Sequence, residues 1–304
     1  MTRTVPHFSA VAVTAAIFVL IQLGGLLLVS PLIDTDDPVA TEPGGATLGI
    51  IFIAALLVIT ALMLAAFRWG LTWIIRGMVF AVAFVMIWVV SSELLRRIPR
   101  LPGVDLLAAA IAAVLIGVLI TYPRWYVLNI VGVIVGIGAV ALLGMSLGIQ
   151  SVFVLLVLLA IYDAISVYGT KHMLSLAEGA IKGKLPVVLI IPLRLPFEMD
   201  VESDTTDSPD ALMIGLGDAV IPGMLAISAA IHGPIEPTMI AGIPVAGPHI
   251  GVMVGTVIAL IGLFVIPSRE RAHPGLPFLS TGAIAGYLVG SLLVGIGPIE
   301  AIMQ

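Results

Sequence analysis

The chain divides into nine apolar runs, each long enough to cross a bilayer, and that pattern leaves few folds open. A spanning helix needs roughly 20 mainly apolar residues. Such runs lie near 8–30, 47–67, 73–92, 105–121, 127–146, 151–171, 210–231, 246–266 and 276–297. Most are bounded by Pro, Gly or charge, the usual helix stop signals. In lipid a helix satisfies its own backbone polar groups, so runs of this kind are helical. The expectation is an all-α polytopic membrane protein of nine transmembrane helices. Composition agrees, with 60% hydrophobic and 10% charged residues against about 25% charged in soluble domains. The first run is too long for a secretory signal and no clear small-residue cleavage site follows it, so it is expected to stay as an uncleaved span.

Cysteine is absent and the net charge is −5. These exclude a disulfide framework, thiolate metal sites and cysteine-protease chemistry. No basic tract suited to nucleic acid occurs. The placement of Lys and Arg sets the orientation. With the N-terminus cytoplasmic, Arg3, Arg68, Arg76, Arg124, Lys171, Lys182, Lys184, Arg194, Arg269 and Arg271 fall on or near the cytoplasmic side. Arg96, Arg97 and Arg100 fall outside, so the count is ten against three for the thirteen basic residues. The outside loop with Asp34, Asp36, Asp37 and Glu42 has no Lys or Arg. Nine spans then leave the C-terminus extracytoplasmic, and the Arg96–Arg100 cluster stands as the exception.

Spans one to six, within 1–171, follow one another closely. Residues 172–209 form a hydrophilic loop on the cytoplasmic side, and 210–304 hold the last three spans. The acidic tail of the loop, Glu198 to Asp210, reads as solvated. Within the loop, Leu185 to Pro192 is a short apolar run bounded by prolines. It is too short to span; it is either a segment packed against helix ends or an edge strand, since short apolar runs are ambiguous. No sequence repeat supports an inverted-repeat transporter.

Two ionisable residues fall inside the spans rather than at their ends: Asp163 in the sixth and Asp218 in the seventh. Such residues cost at least ~2.5–3.5 kcal/mol to insert and are functional candidates by default. Asp163 lies eight residues before Lys171 and Asp218 eight residues after Asp210. Eight residues of helix rise about 12 Å. On antiparallel helices the two carboxylates therefore share a level, and on adjacent helices they meet. Two close carboxylates in apolar surroundings hold one proton between them, the arrangement used in aspartic proteolysis. An inter-helix hydrogen bond without chemistry and a proton or cation pathway are the alternatives.

Tyr162 precedes Asp163, Gly215-Leu216-Gly217 precedes Asp218, and Pro274-Gly275-Leu276-Pro277 opens the last span. In this order and in these spans, the motifs resemble Tyr-Asp, Gly-x-Gly-Asp and Pro-Ala-Leu of the presenilin and signal-peptide-peptidase family of intramembrane aspartyl proteases. The resemblance covers essentially the whole chain and implies a presenilin-like fold. It implies that Asp163 and Asp218 are the catalytic dyad. It also implies that Tyr162, Gly215, Leu216, Gly217, Pro274, Leu276 and Pro277 border the substrate. Gly275 departs from the family's alanine. The ordinary reading of these glycines and prolines is helix packing and helix starts. The cytoplasmic N-terminus matches the presenilin branch, and the size and lack of cysteine suggest a compact microbial, archaeal-like homologue in the plasma membrane.

Gly144-Met-Ser146-Leu-Gly148 matches a serine-hydrolase pattern but has no intramembrane histidine as base. His232, Glu236 and His249 lack the His-Glu-x-x-His run of a zinc protease. Prepilin-type peptidases share the Gly-x-Gly-Asp but fit the nine spans less well. The function expected is hydrolysis of peptide bonds within transmembrane helices of single-span substrate proteins in the bilayer, with Leu185–Ile191 and the residues just before Gly215 as candidate strand edges for the unwound segment. It needs no cofactor and no metal, and leaves a homo-oligomer open. A carboxylate-gated cation or proton pathway is the alternative function.

Overall fold

The computed structural model describes residues 8–33, 51, 54, 58, 72–166, 185–193, 211–233, 235, 237–240, 243–265 and 275–302. Its helices are α1 (Phe8–Ile33), α2 (Thr72–Arg96), α3 (Val104–Thr121), α4 (Trp125–Ser146), α5 (Ile149–Ile165), α6 (Leu216–Ile231), α7 (Gly247–Val265), α8 (Gly275–Leu293) and the short α9 (Pro298–Ile302). The first eight correspond to eight of the nine expected spans. The span expected at 47–67 lies almost wholly outside the described residues. Six of the helices are long and apolar enough to cross a membrane, while α5 and α6 are shorter apolar helices.

Helix α6 is the axis of the bundle, packed against α1, α4, α5, α7 and α8. Its shortness and near-complete burial go together, because it meets protein on most sides. Pro222 within it is tolerated, since neighbouring helices shield the freed backbone. The outermost surfaces are apolar instead: Leu106, Val114, Ile258 and Leu293 stand exposed. In water such a surface would aggregate, whereas in lipid it is the natural exterior. The chain is an integral multi-pass membrane protein.

Two small antiparallel sheets interrupt the helical pattern. Strand β1 (Val188–Pro192) pairs with β2 (Ala211–Gly215), and β3 (Thr238–Ile240) pairs with β4 (Ile243–Val245). The β1–β2 pair decides one expectation and corrects another. The apolar run in the hydrophilic loop is the strand of its two expected forms. The seventh span does not begin at 210, because 211–215 is extended and the helix starts at Leu216. A five-residue apolar segment has no decisive helical preference, and pairing with β1 satisfies its backbone groups. The sheet sits in the core: Leu189 and Ile214 join the cluster around α1, α4 and α6, while Val188, Ile190 and Ala211 join one around α2, α3 and α4.

Helices α7 and α8 form an antiparallel hairpin closed by glycine. Gly247, Gly251 and Gly255 face Gly290, Gly286 and Gly282, and a Cβ on any of the six would come within 3.0 Å of a backbone carbonyl oxygen or Cα across the pair. The four-residue spacing is the small-xxx-small arrangement that lets helix backbones approach in membranes.

Candidate active site

Asp163 sits in the last described turn of α5, buried at 6% exposure. Asp218 sits in the first turn of α6, immediately after β2. On the Asp218 side the two turns of helix inferred from 210 are replaced by a strand-to-helix junction, which delivers Asp218. Most of the eight residues that follow Asp163 lie outside the described residues. Their charges are close enough to interact.

The start of α8 completes the site. The Leu276 N–H donates to Asp163 Oδ2 at 3.3 Å. This amide belongs to the first turn of a helix, where N–H groups have no intrahelical acceptor. At Gly275 a Cβ would stand 3.5 Å from Asp218 Oδ2 and 3.7 Å from Leu263 Cδ2. The α8 N-terminus therefore touches both carboxylates, with main chain rather than side chains. Gly215 is extended, at φ −61° and ψ 135°, and its backbone hydrogen-bonds the Asp218 carboxylate.

The ladder of the β1–β2 sheet has a defined phase. The Leu216 N–H donates to the Val187 carbonyl at 2.8 Å. With the observed register, Leu189–Ile214 and Ile191–Leu212 are then the hydrogen-bonded pairs. Val188, Ile190 and Pro192 on β1, and Ala211, Met213 and Gly215 on β2, turn their main-chain groups outward. Among the described residues no third strand covers either edge. Gly215 offers its outward group to Asp218, so the free edge of β2 runs along the side of the sheet that carries the aspartate.

The other residues expected at the site are placed less uniformly. Gly217 is exposed, with only Ile221 Cδ1 near a would-be Cβ, at 3.8 Å. Leu216 turns its side chain into the core, where it meets Gly136 of α4. Tyr162 is 38% exposed, next to buried Asp163 on α5. Pro277 lines an apolar groove of about 830 Å³ on the outer side of the α7–α8 hairpin, which includes neither aspartate. Pro274 lies outside the described residues. His232 contacts the Met145 carbonyl at 3.0 Å, and the Ala246 N–H donates to His249 at 3.2 Å. Ser146 donates to the Leu142 carbonyl in its own helix at 2.7 Å. Sequence reasoning missed Asn129, whose side chain binds the main chain of β1 at Ile190. The available signal was that it is the single asparagine of the chain and lies within an apolar run.

A family model described as signal-peptide peptidase, presenilin aspartyl protease matches residues 15–296. The chain belongs to this family. Its members are peptide hydrolases, and this protease shares their fold across nearly its full length. A solved structure of a presenilin family intramembrane aspartate protease, in space group C222, superposes with a TM-score of 0.65 at 28% identity, covering 93% of this chain and 99% of that one. A second, in space group P2, gives 0.64 at 27% identity, with 95% and 99% covered. No curated protein sequence matches the protease significantly.

Proposed function

We propose that the chain cleaves peptide bonds within the transmembrane helix of single-span substrate proteins, with Asp163 and Asp218 as the catalytic pair and water as the nucleophile. The observation that carries this reading is the convergence of both carboxylates on the first turn of α8, at Gly275 and Leu276. The pair shares one proton. The ionised carboxylate takes a proton from water as the water oxygen bonds to the carbonyl carbon. The protonated partner donates to the carbonyl oxygen. Collapse of the tetrahedral intermediate then breaks the C–N bond as a proton passes to the leaving nitrogen. The two titrate as a pair, so neither has a fixed role.

A helical substrate hides its peptide bonds, and every backbone group freed by unwinding needs a new partner in lipid. The outward edge of β2, with Met213 at its centre, supplies such partners by strand addition and leads along the chain to Asp218. The N-terminus faces the cytoplasm in this reading, so water reaches the pair from that side. The test is proteolysis of a fluorescent single-span peptide in detergent or liposomes by wild type, Asp163→Asn and Asp218→Asn, with products read by mass spectrometry. Cleavage by wild type and by neither variant is expected. Equal cleavage by all three would remove the reading. Ion flux through wild type in liposomes, without cleavage, would favour the cation pathway.

A further inference from the structure

We propose that Asn129 is a positioning residue for cleavage: it takes the place of a third strand on the outer edge of β1 and leaves the edge of β2 as the one a substrate strand joins. This rests on the reading of the chain as a protease that binds its substrate as a strand. Asn129 lies in the second turn of α4. Its Nδ2 donates to the Ile190 carbonyl at 2.6 Å, and the Ile190 N–H donates to its Oδ1 at 2.8 Å. A side-chain amide presents one donor and one acceptor, the pair that a neighbouring strand residue would present. Asn129 satisfies the outward main-chain groups of Ile190 as a strand would, without offering an edge of its own.

One other outward position of β1 reinforces the block. Pro192 has no N–H to give, and proline is a standard guard of strand edges. Towards the start of β1, Gly132 lets α4 lie close, since a Cβ there would meet Leu189 Cδ2 at 3.4 Å and the Pro186 carbonyl oxygen at 3.6 Å. Among the described residues, the β2 edge carries neither proline nor an amide plug. Ile190 is paired across the ladder with Met213. Anchoring Ile190 to α4 therefore fixes, one strand away, the lateral position of the residue at the centre of the open edge. Asn129 acts on the substrate through β1 and β2, without touching it.

The test has two arms. In the first, residue-resolved hydrogen–deuterium exchange is followed in the Asp218→Asn protein with and without a single-span peptide. Protection is expected at Met213 and not at Val188. Adding Asn129→Leu should speed exchange at Ile190 and reduce the peptide's protection of Met213 about tenfold, the order expected for losing one net hydrogen bond. Protection at Val188 in the parent protein, no protection at Met213, or no change at Ile190 and Met213 on substitution would each overturn the assignment. In the second arm, Asn129→Leu in the active protein should lower kcat/KM about tenfold and spread the cuts in two-residue steps, because a slip of two preserves the faces of a strand. Unchanged kcat/KM with unchanged cuts would overturn it. Loss of rate with cuts unmoved would assign Asn129 a purely structural role and overturn it as well. Asn129→Asp keeps the acceptor for the Ile190 N–H and serves both arms if the leucine variant fails to fold. If wild type cleaves nothing while Met213 is still protected, the proteolytic reading fails and the edge assignment stands.

Discussion

Gly275 tests how tightly the site is drawn at the scale of one residue. The family's motif has alanine there, and the departure is sterically neutral in this chain. A Cβ at 3.5 Å from Asp218 Oδ2 and 3.7 Å from Leu263 Cδ2 makes ordinary van der Waals contact. Gly275→Ala is therefore expected to cleave within about twofold of wild type, since no atom has to move. Gly275→Leu would drive a branched side chain against the same two groups. Cleavage should fall by about a hundredfold or more, the scale of a 1 Å misplacement of reacting groups. Peptide cleavage rates for the two variants, with thermal unfolding in detergent as a control, check this. The carboxylate pair makes a second prediction. Only the singly protonated pair carries both base and acid, so kcat/KM should pass through a maximum as pH rises. It falls on the acid side when both groups are protonated and on the alkaline side when both are ionised. A rate that climbs without a maximum would contradict the shared proton. Both aspartates were legible in the sequence because ionisable residues are rare within apolar runs. Leu216 was not, because a motif gives the order of residues and not the face each one presents: its side chain supports the core from inside the motif.

At the scale of elements, what positions α8 against the aspartates is the α7–α8 hairpin. The α8 N-terminus reaches Asp163 only as long as the hairpin keeps its spacing. Gly251 sets that spacing: a Cβ there would stand 2.1 Å from the Gly286 carbonyl oxygen, a backbone atom that cannot swing aside. Gly251→Ala should force the helices apart, lower stability by about 1–3 kcal/mol as overpacking does, and reduce cleavage by withdrawing the Leu276 amide. Gly262 on the same helix is the control, with nothing within 4 Å of its would-be Cβ. Gly262→Ala should be neutral or stabilise by up to about 1 kcal/mol through helix propensity. Thermal unfolding of both variants in one detergent decides between a general effect of replacing glycine and a specific closure at Gly251. The spans were readable from hydropathy, and the residues just before Gly215 stood as a candidate strand edge, but hydropathy alone runs 211–215 into the seventh span. These five residues continue an apolar run, and only the pairing with β1, formed across the hydrophilic loop, draws them out of the helix. The glycine spacing was likewise present in the sequence, yet a spacing does not name the helix it meets.

At the scale of the whole molecule, the orientation proposed from the basic residues leaves Arg96, Arg97 and Arg100 against the rule, and the first two make local contacts. Arg96 pairs with Glu93 at 2.7 Å and with Asp105 at 3.1 Å, bracing the turn between α2 and α3. Arg97 donates to the Leu27 carbonyl and to Ser30 Oγ near the end of α1, where helix carbonyls attract cations. These contacts give the cluster a reason to sit at that end of the bundle whichever way the chain is inserted. On the proposed orientation, the other ten basic residues decide the direction of insertion. The absence of cysteine makes this testable without a background to remove. Tyr122, Ile98 and Ile299 are all exposed, at 60%, 51% and 73%, and each can carry a single cysteine probed with a membrane-impermeant maleimide. In intact cells, Ile98→Cys and Ile299→Cys should label and Tyr122→Cys should not; in inside-out vesicles the pattern should reverse. Labelling of Ile98→Cys only from the cytoplasmic side would mean that the arginine turn prevails over the other ten basic residues. It would also move the water supply of the aspartate pair to the opposite face of the membrane, because Asp163 and Asp218 lie towards the end of the bundle away from that turn.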